Sequence, residues 1–88
     1  LTAKPSVAVR PPCIAEAPAS LECRCHSIIE IGENRLIIGE VLRVHVRDDI
    51  FDTDTWLVRT GSYAPIGRMQ SPDWYCRTSD AFEMKRPA

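Results

Sequence analysis

The feature that most constrains this chain is an alternation of side chains that stops at one turn and then resumes. From Leu21 to Ile31 the odd positions read Leu, Cys, Cys, Ser, Ile, Ile, and the even positions Glu, Arg, His, Ile, Glu. A period of two over this length marks a strand with one face turned from water. Gly32-Glu33-Asn34-Arg35 supplies a turn, because Gly and Asn tolerate positive φ. A second segment rich in Ile and Val runs from Leu36 to about Val46. The pattern predicts a mainly β chain built on a long antiparallel hairpin, 21–31 against 36–46.

The turn also predicts a register. With Ile31 opposite Leu36, one face pairs Leu21 with Val46, Cys23 with Val44, Cys25 with Leu42, Ile29 with Ile38 and Ile31 with Leu36. That face is apolar except for Ser27 opposite Glu40, and a hydrophobic face is what fixes register. Glu40 is read as a structural carboxylate bonded to Ser27 or to backbone donors, the alternative being a functional group in a cavity. The other face sets Glu22 opposite His45, a cross-strand ion pair on a solvated surface.

The remaining segments are shorter. Pro5, Pro11, Pro12 and Pro18 exclude a helix near the start and favour an extended lead-in, with Ser6 to Arg10 a possible edge strand. Arg47-Asp48-Asp49 and Asp52-Thr53-Asp54 read as solvated turns, since the loop glycine and closing Glu of a calcium hand are missing. Residues 55–70 read as irregular or one short helix, Trp74 to Thr78 as a short strand, and Phe82 to Met84 as a last extended segment.

Composition narrows the class of function. The 88 residues carry 11 basic and 12 acidic side chains, a net charge of −1, so no basic footprint for nucleic acid exists. No apolar run approaches a membrane span and no secretory pattern is present, so the expectation is a cytoplasmic protein with no membrane or nucleic-acid partner. The four cysteines, at 13, 23, 25 and 76, are then expected as reduced, buried thiols. Cys23-Arg24-Cys25-His26 invites a metal reading. On a strand, however, His26 points away from both cysteines, and Cys13 and Cys76 lack the spacing of a zinc knuckle, so no metal is expected.

A two-stranded hairpin with a broad apolar face cannot bury that face alone. Leu21, Cys25, Leu42 and Val44 are therefore expected to be covered by strands from elsewhere. The chain begins Leu1-Thr2-Ala3 rather than with Met, which fits a processed or truncated piece.

Three segments, PSVAVRPPCIAEAPASLEC, IGENRLIIGEVLRVHVRDD and YAPIGRMQSPDWYCRTSDAFEMKRP, lie in the order found in a known family. Together they resemble the C-terminal part of the flavin reductase-like family, whose domain is an FMN-binding split β-barrel. The resemblance implies that residues 1–88 are the C-terminal portion of one such domain, with the N-terminal portion absent. It implies an oxidoreductase that is a flavoprotein and a homodimer, in which NAD(P)H reduces bound FMN. The isolated chain would be inactive, needing the N-terminal part or a companion chain. Where reductases of the family carry Gly-Asp-His at the turn, this chain has Gly32-Glu33-Asn34. The alternatives are thus a non-catalytic flavin- or haem-binding split barrel, or a structural and assembly fragment.

From the same resemblance, Arg68, Trp74, Tyr75 and His45 are the candidate cofactor-binding residues; no catalytic residue is assigned. Arg68 would stabilise negative charge at the N1–C2 edge of the flavin or pair with a phosphate. Trp74 and Tyr75 would flank the ring system, with core or interface packing as their other role. His45 would touch cofactor or nucleotide, unless it serves only as the partner of Glu22.

Overall fold

The computed structural model describes the backbone of all 88 residues and every side chain except that of Thr60. The described residues are mainly β and divide into two compact units, Leu1–Arg47 and Asp48–Ala88.

The first unit is dominated by the hairpin. β1 (Ala3–Lys4) and β2 (Cys13–Ile14) make a short antiparallel pair, and β3 (Ala19–Ile31) and β4 (Asn34–Val46) make the long one. The lead-in is extended as expected, but Ser6–Arg10 bends rather than forming an edge strand; pairing falls on either side of the bend. The Pro18 carbonyl accepts from the Arg47 N–H, which closes the open end of the hairpin.

The hairpin is where the alternation placed it, with a different register. Only Gly32 and Glu33 form the loop, Gly32 at φ 61, so Asn34 and Arg35 belong to β4 and Ile31 faces Asn34. Glycine meets that φ without the steric cost of a side chain. Pairing thus slips by two residues from the expected one, which leaves the faces unchanged: Ile29 opposes Leu36 and Leu21 opposes Val44. Two irregularities then interrupt the ladder. His26 is the extra residue on β3, between Cys25↔Gly39 and Ser27↔Ile38, and Leu42 is the extra residue on β4, between Glu22↔Arg43 and Cys23↔Val41. Between them the pairing is odd with odd and even with even, so the two faces mix over three pairs.

That mixing overturns the expected setting of Glu40. It stands opposite Arg24, not Ser27, on an exposed surface, and Arg24 Nη2 donates to Glu40 Oε2 at 2.6 Å. The apolar side chains of the hairpin are likewise uncovered within this chain: Leu21, Ile28, Ile31, Ile37, Leu42 and Val44 are all exposed, as is Cys25. The expectation that Leu21, Cys25, Leu42 and Val44 be shielded is not met by these 88 residues, because two strands make one layer and a buried face needs two. Nor are the cysteines buried: all four are free, Cys13 half-buried and the other three exposed.

The second unit is built from tight turns. A 3₁₀ turn at Asp48–Ile50 leads into β5 (Phe51–Asp52), which pairs with β6 (Leu57–Val58). Asp52 Oδ1 accepts from the Asp54 N–H at 2.9 Å, and Trp56 packs edge-on against Phe51 at 5.8 Å. The Asp52-Thr53-Asp54 segment is therefore a turn, as read from its composition. Residues 55–70 contain β6, a 3₁₀ turn at Thr60–Ser62 and β7 (Ile66–Arg68), rather than one short helix. β7 pairs with β8 (Tyr75–Arg77), close to the strand expected at 74–78; Phe82–Met84 forms no strand.

Candidate functional site

In the first unit the chemistry converges on Glu22. The two-residue slip sets Glu22 opposite Arg43 and Ser20 opposite His45, so Glu22 and His45 become diagonal neighbours on one face. Diagonal neighbours remain within reach of long side chains, and the carboxylate Oε2 meets His45 Nε2. The expected Glu–His pair exists, but its setting is not solvated: Glu22 is only 2% exposed. Its remaining partners come from the lead-in. The Val7 N–H donates to both carboxylate oxygens at 3.1 and 3.0 Å, and the Ala8 N–H donates to Oε1 at 2.6 Å. The Val7 amide, then the His45 ring and the Ala8 amide, hold the Glu22 carboxyl at about 2, against the opposing effect of burial. Glu22 is thus an ionised, fully bonded carboxylate that ties residues 7 and 8 to the hairpin.

The bend of the lead-in brings two more polar side chains to this place. Ser6 Oγ lies 3.5 Å from Cys13 Sγ and donates to the Pro11 carbonyl at 2.5 Å. Cys13, Glu22 and His45 each place one donor atom within 4.8 Å of the other two. A cavity of about 350 Å³ opens onto Cys13, Ser20, His45 and Arg47, and a second of about 440 Å³ onto Ser6, Cys13 and Glu22. Sequence reasoning missed this grouping. Glu22 and His45 meet across the hairpin as expected, but Cys13, 9 and 32 residues before them, joins only because a proline-rich segment folds back on a strand. Among the described residues Cys23, Cys25 and His26 take no part in such a cluster.

In the second unit, Arg68 meets the ring of Tyr75 and the backbone carbonyl of Trp74. Arg68 faces Tyr75 across the β7–β8 pair, and its guanidinium lies over the Tyr75 ring at 5.0 Å from the centroid. Arg68 Nη2 donates to the Pro72 carbonyl at 2.7 Å and Nη1 to the Trp74 carbonyl at 3.5 Å, so two of five N–H donors hold the turn. Trp74 and Tyr75 are 62% and 56% exposed, so the Trp74 ring and the Tyr75 face away from Arg68 are surfaces on which a flat ligand could stack. Gly67, between Ile66 and Arg68, lies against Cys76: an added Cβ would stand 3.1 Å from its Sγ, which keeps the pair tight at this point. His45 belongs to the other cluster.

Comparison with known proteins fits this architecture. Residues 1–67 match the model of the flavin reductase like domain. An uncharacterized protein of Deinococcus radiodurans is 40% identical over 83 residues, 93% of this chain and 37% of its own length. Another, of Aquifex aeolicus, is 36% identical over 69 residues, 78% of this chain and 35% of its own. Among solved structures, the 2-nitrobenzoate 2-nitroreductase NbaA of Pseudomonas fluorescens superimposes with a TM-score of 0.82 at 31% identity, covering 98% of this chain and 44% of that one. The chain thus spans well under half the length of these relatives. With its long hairpin and mainly β content, it belongs to the flavin reductase-like family.

Proposed function

We propose that the chain supplies part of an FMN-binding split barrel that oxidises NADH or NADPH, and that the rest of the barrel comes from a further part of the same domain or from a companion chain. The assembly is a homodimer in this proposal. The observation that carries it is the Arg68–Tyr75 stack with Trp74 beside it, an exposed cation–aromatic surface in a chain of a flavin family. These side chains fit the group. A flavin needs flat apolar contact for its rings and a cation near its N1–C2 edge, and Arg68 keeps N–H donors beyond the two used in its own turn.

The chemistry would be the cofactor's, a two-electron transfer from a nicotinamide to an acceptor. The chain's residues bind and orient. Trp74 and Tyr75 offer ring faces and Arg68 a fixed positive charge. An aromatic nitro compound is one acceptor to examine, since the structural neighbour is named for acting on 2-nitrobenzoate.

A second proposal, a split barrel that binds flavin or haem without turnover, is favoured by one observation: the hairpin tip Gly32-Glu33-Asn34 carries no imidazole. Absorption spectra and anaerobic mixing separate the two. The native protein is expected to show flavin bands that bleach with NADH or NADPH. Bands that do not bleach support the passive binder, and a colourless protein overturns both. Arg68→Lys keeps the charge but loses the planar stack, and is expected to weaken flavin binding by about tenfold.

A further inference from the structure

We propose that Cys13, Glu22 and His45 form a binding site for a divalent transition metal of the zinc class, on the first unit and separate in composition from the Arg68–Trp74–Tyr75 surface. The three residues offer a thiolate, a carboxylate and an imidazole, the donor types that zinc takes. They come from three strands, β2, β3 and β4, with one donor atom each inside 4.8 Å of the others.

The distances suit a single ion. A tetrahedral zinc with a Zn–S bond of about 2.3 Å and a Zn–N bond of about 2.0 Å spaces those two donors about 3.5 Å apart. Cys13 therefore needs to approach by about 1.3 Å at most, within the range of a side-chain rotation, while Glu22 and His45, now hydrogen-bonded, part slightly. The carboxylate is already oriented: the Val7 and Ala8 N–H groups fix its oxygens, as hydrogen bonds fix the carboxylates of metal centres. Ser6 Oγ, 3.5 Å from Cys13 Sγ, or a water entering from the adjoining cavities would complete the set as the fourth ligand. Both cavities reach Cys13, which gives an ion a way in. Binding displaces the thiol proton of Cys13 to solvent and the Nε2 proton of His45 to Nδ1 or to solvent, so the hydrogen bond between His45 and Glu22 is lost, and it fastens the lead-in to the hairpin by a coordinate link.

The test uses the native protein and Zn²⁺ alone. One Zn²⁺ per chain is expected to bind, and X-ray absorption at the zinc edge is expected to show one sulfur at about 2.3 Å with nitrogen and oxygen at about 2.0–2.2 Å. Cys13→Ser is expected to remove the sulfur and weaken binding at least tenfold, whereas Cys25→Ser changes neither. A measurement on the unsubstituted protein avoids dependence on how the variant folds. Zn²⁺ is expected to slow alkylation of Cys13 by iodoacetamide, read by peptide mass spectrometry, and to leave Cys23, Cys25 and Cys76 unprotected. Alkylation of Cys13 at an unchanged rate, or zinc without a sulfur ligand, overturns the proposal.

Discussion

Arg24 and Glu40 face each other across the hairpin at 2.6 Å only because one bulge on each strand shifts the ladder between them. Without those bulges a residue of the opposite face would stand across from Glu40. Both side chains are largely exposed, 66% and 49%, so water and salt screen their attraction. A double-mutant cycle of Arg24→Ala and Glu40→Ala is expected to give a coupling of about 0.2–1 kcal/mol that shrinks in high salt. A coupling well above that range would show Glu40 to be more than a surface partner.

Glu22 gives the opposite result. Glu22→Gln keeps the shape of the side chain but replaces a carboxylate acceptor of two backbone amides by a neutral amide. Hydrogen exchange at Val7 and Ala8 is expected to accelerate by about tenfold or more, the effect of weakening a charge-assisted bond. Amides at the hairpin tip, such as Ile37, are expected to keep their rates.

Acid is expected to loosen the same connection. The folded chain holds the Glu22 carboxyl at about 2, below the ordinary carboxylate range, so the unfolded chain takes up its proton first. The resulting stabilisation is complete above that ordinary range and is lost as pH falls toward about 2. Glu16, held down by hydrogen bonds from Thr2, and Asp52, held down first by the Asp54 amide, act in the same direction. With the remaining strands of the barrel supplied, urea unfolding midpoints are expected to fall between pH 5 and pH 2, and to fall less steeply in Glu22→Gln.

The uncovered hairpin predicts how the 88 residues behave alone. With Leu21, Ile31, Ile37 and Val44 exposed, the isolated chain is expected to lack a cooperative unfolding transition independent of protein concentration. Supplying the remaining strands of the barrel is expected to restore one. A sharp, concentration-independent transition of the 88-residue chain would contradict this.

The sequence made the hairpin legible because residues 21–31 alternate strictly and residues 36–46, beyond a turn, are rich in Ile and Val. Its register was not legible for two reasons: the loop is Gly32-Glu33 alone, which slips the ladder by two, and His26 and Leu42, one extra residue on each strand, cancel outside the region between them. Nothing in a period-two pattern marks such a compensated pair, and Glu40 was misplaced for that reason. The Glu22–His45 pair survived, since a slip of two keeps both on one face. Arg68, Trp74 and Tyr75 could be grouped by nearness in the chain. Cys13 and Ser6 could not be placed beside Glu22, because the direction in which a proline-rich segment folds back is set by tertiary bonds such as those to Val7 and Ala8.

Among the described residues, β3 and β4 form a sheet of only two strands, so each long strand has a flank without a ladder partner. Such a ribbon acts as a seed: its unmatched amides and carbonyls accept any extended segment that arrives, including another copy of itself. Newly made chains that meet each other before their proper complement would zip flank to flank into insoluble material. On the proposal that further strands complete the barrel, yield in the cell is expected to depend on making them at the same time and place.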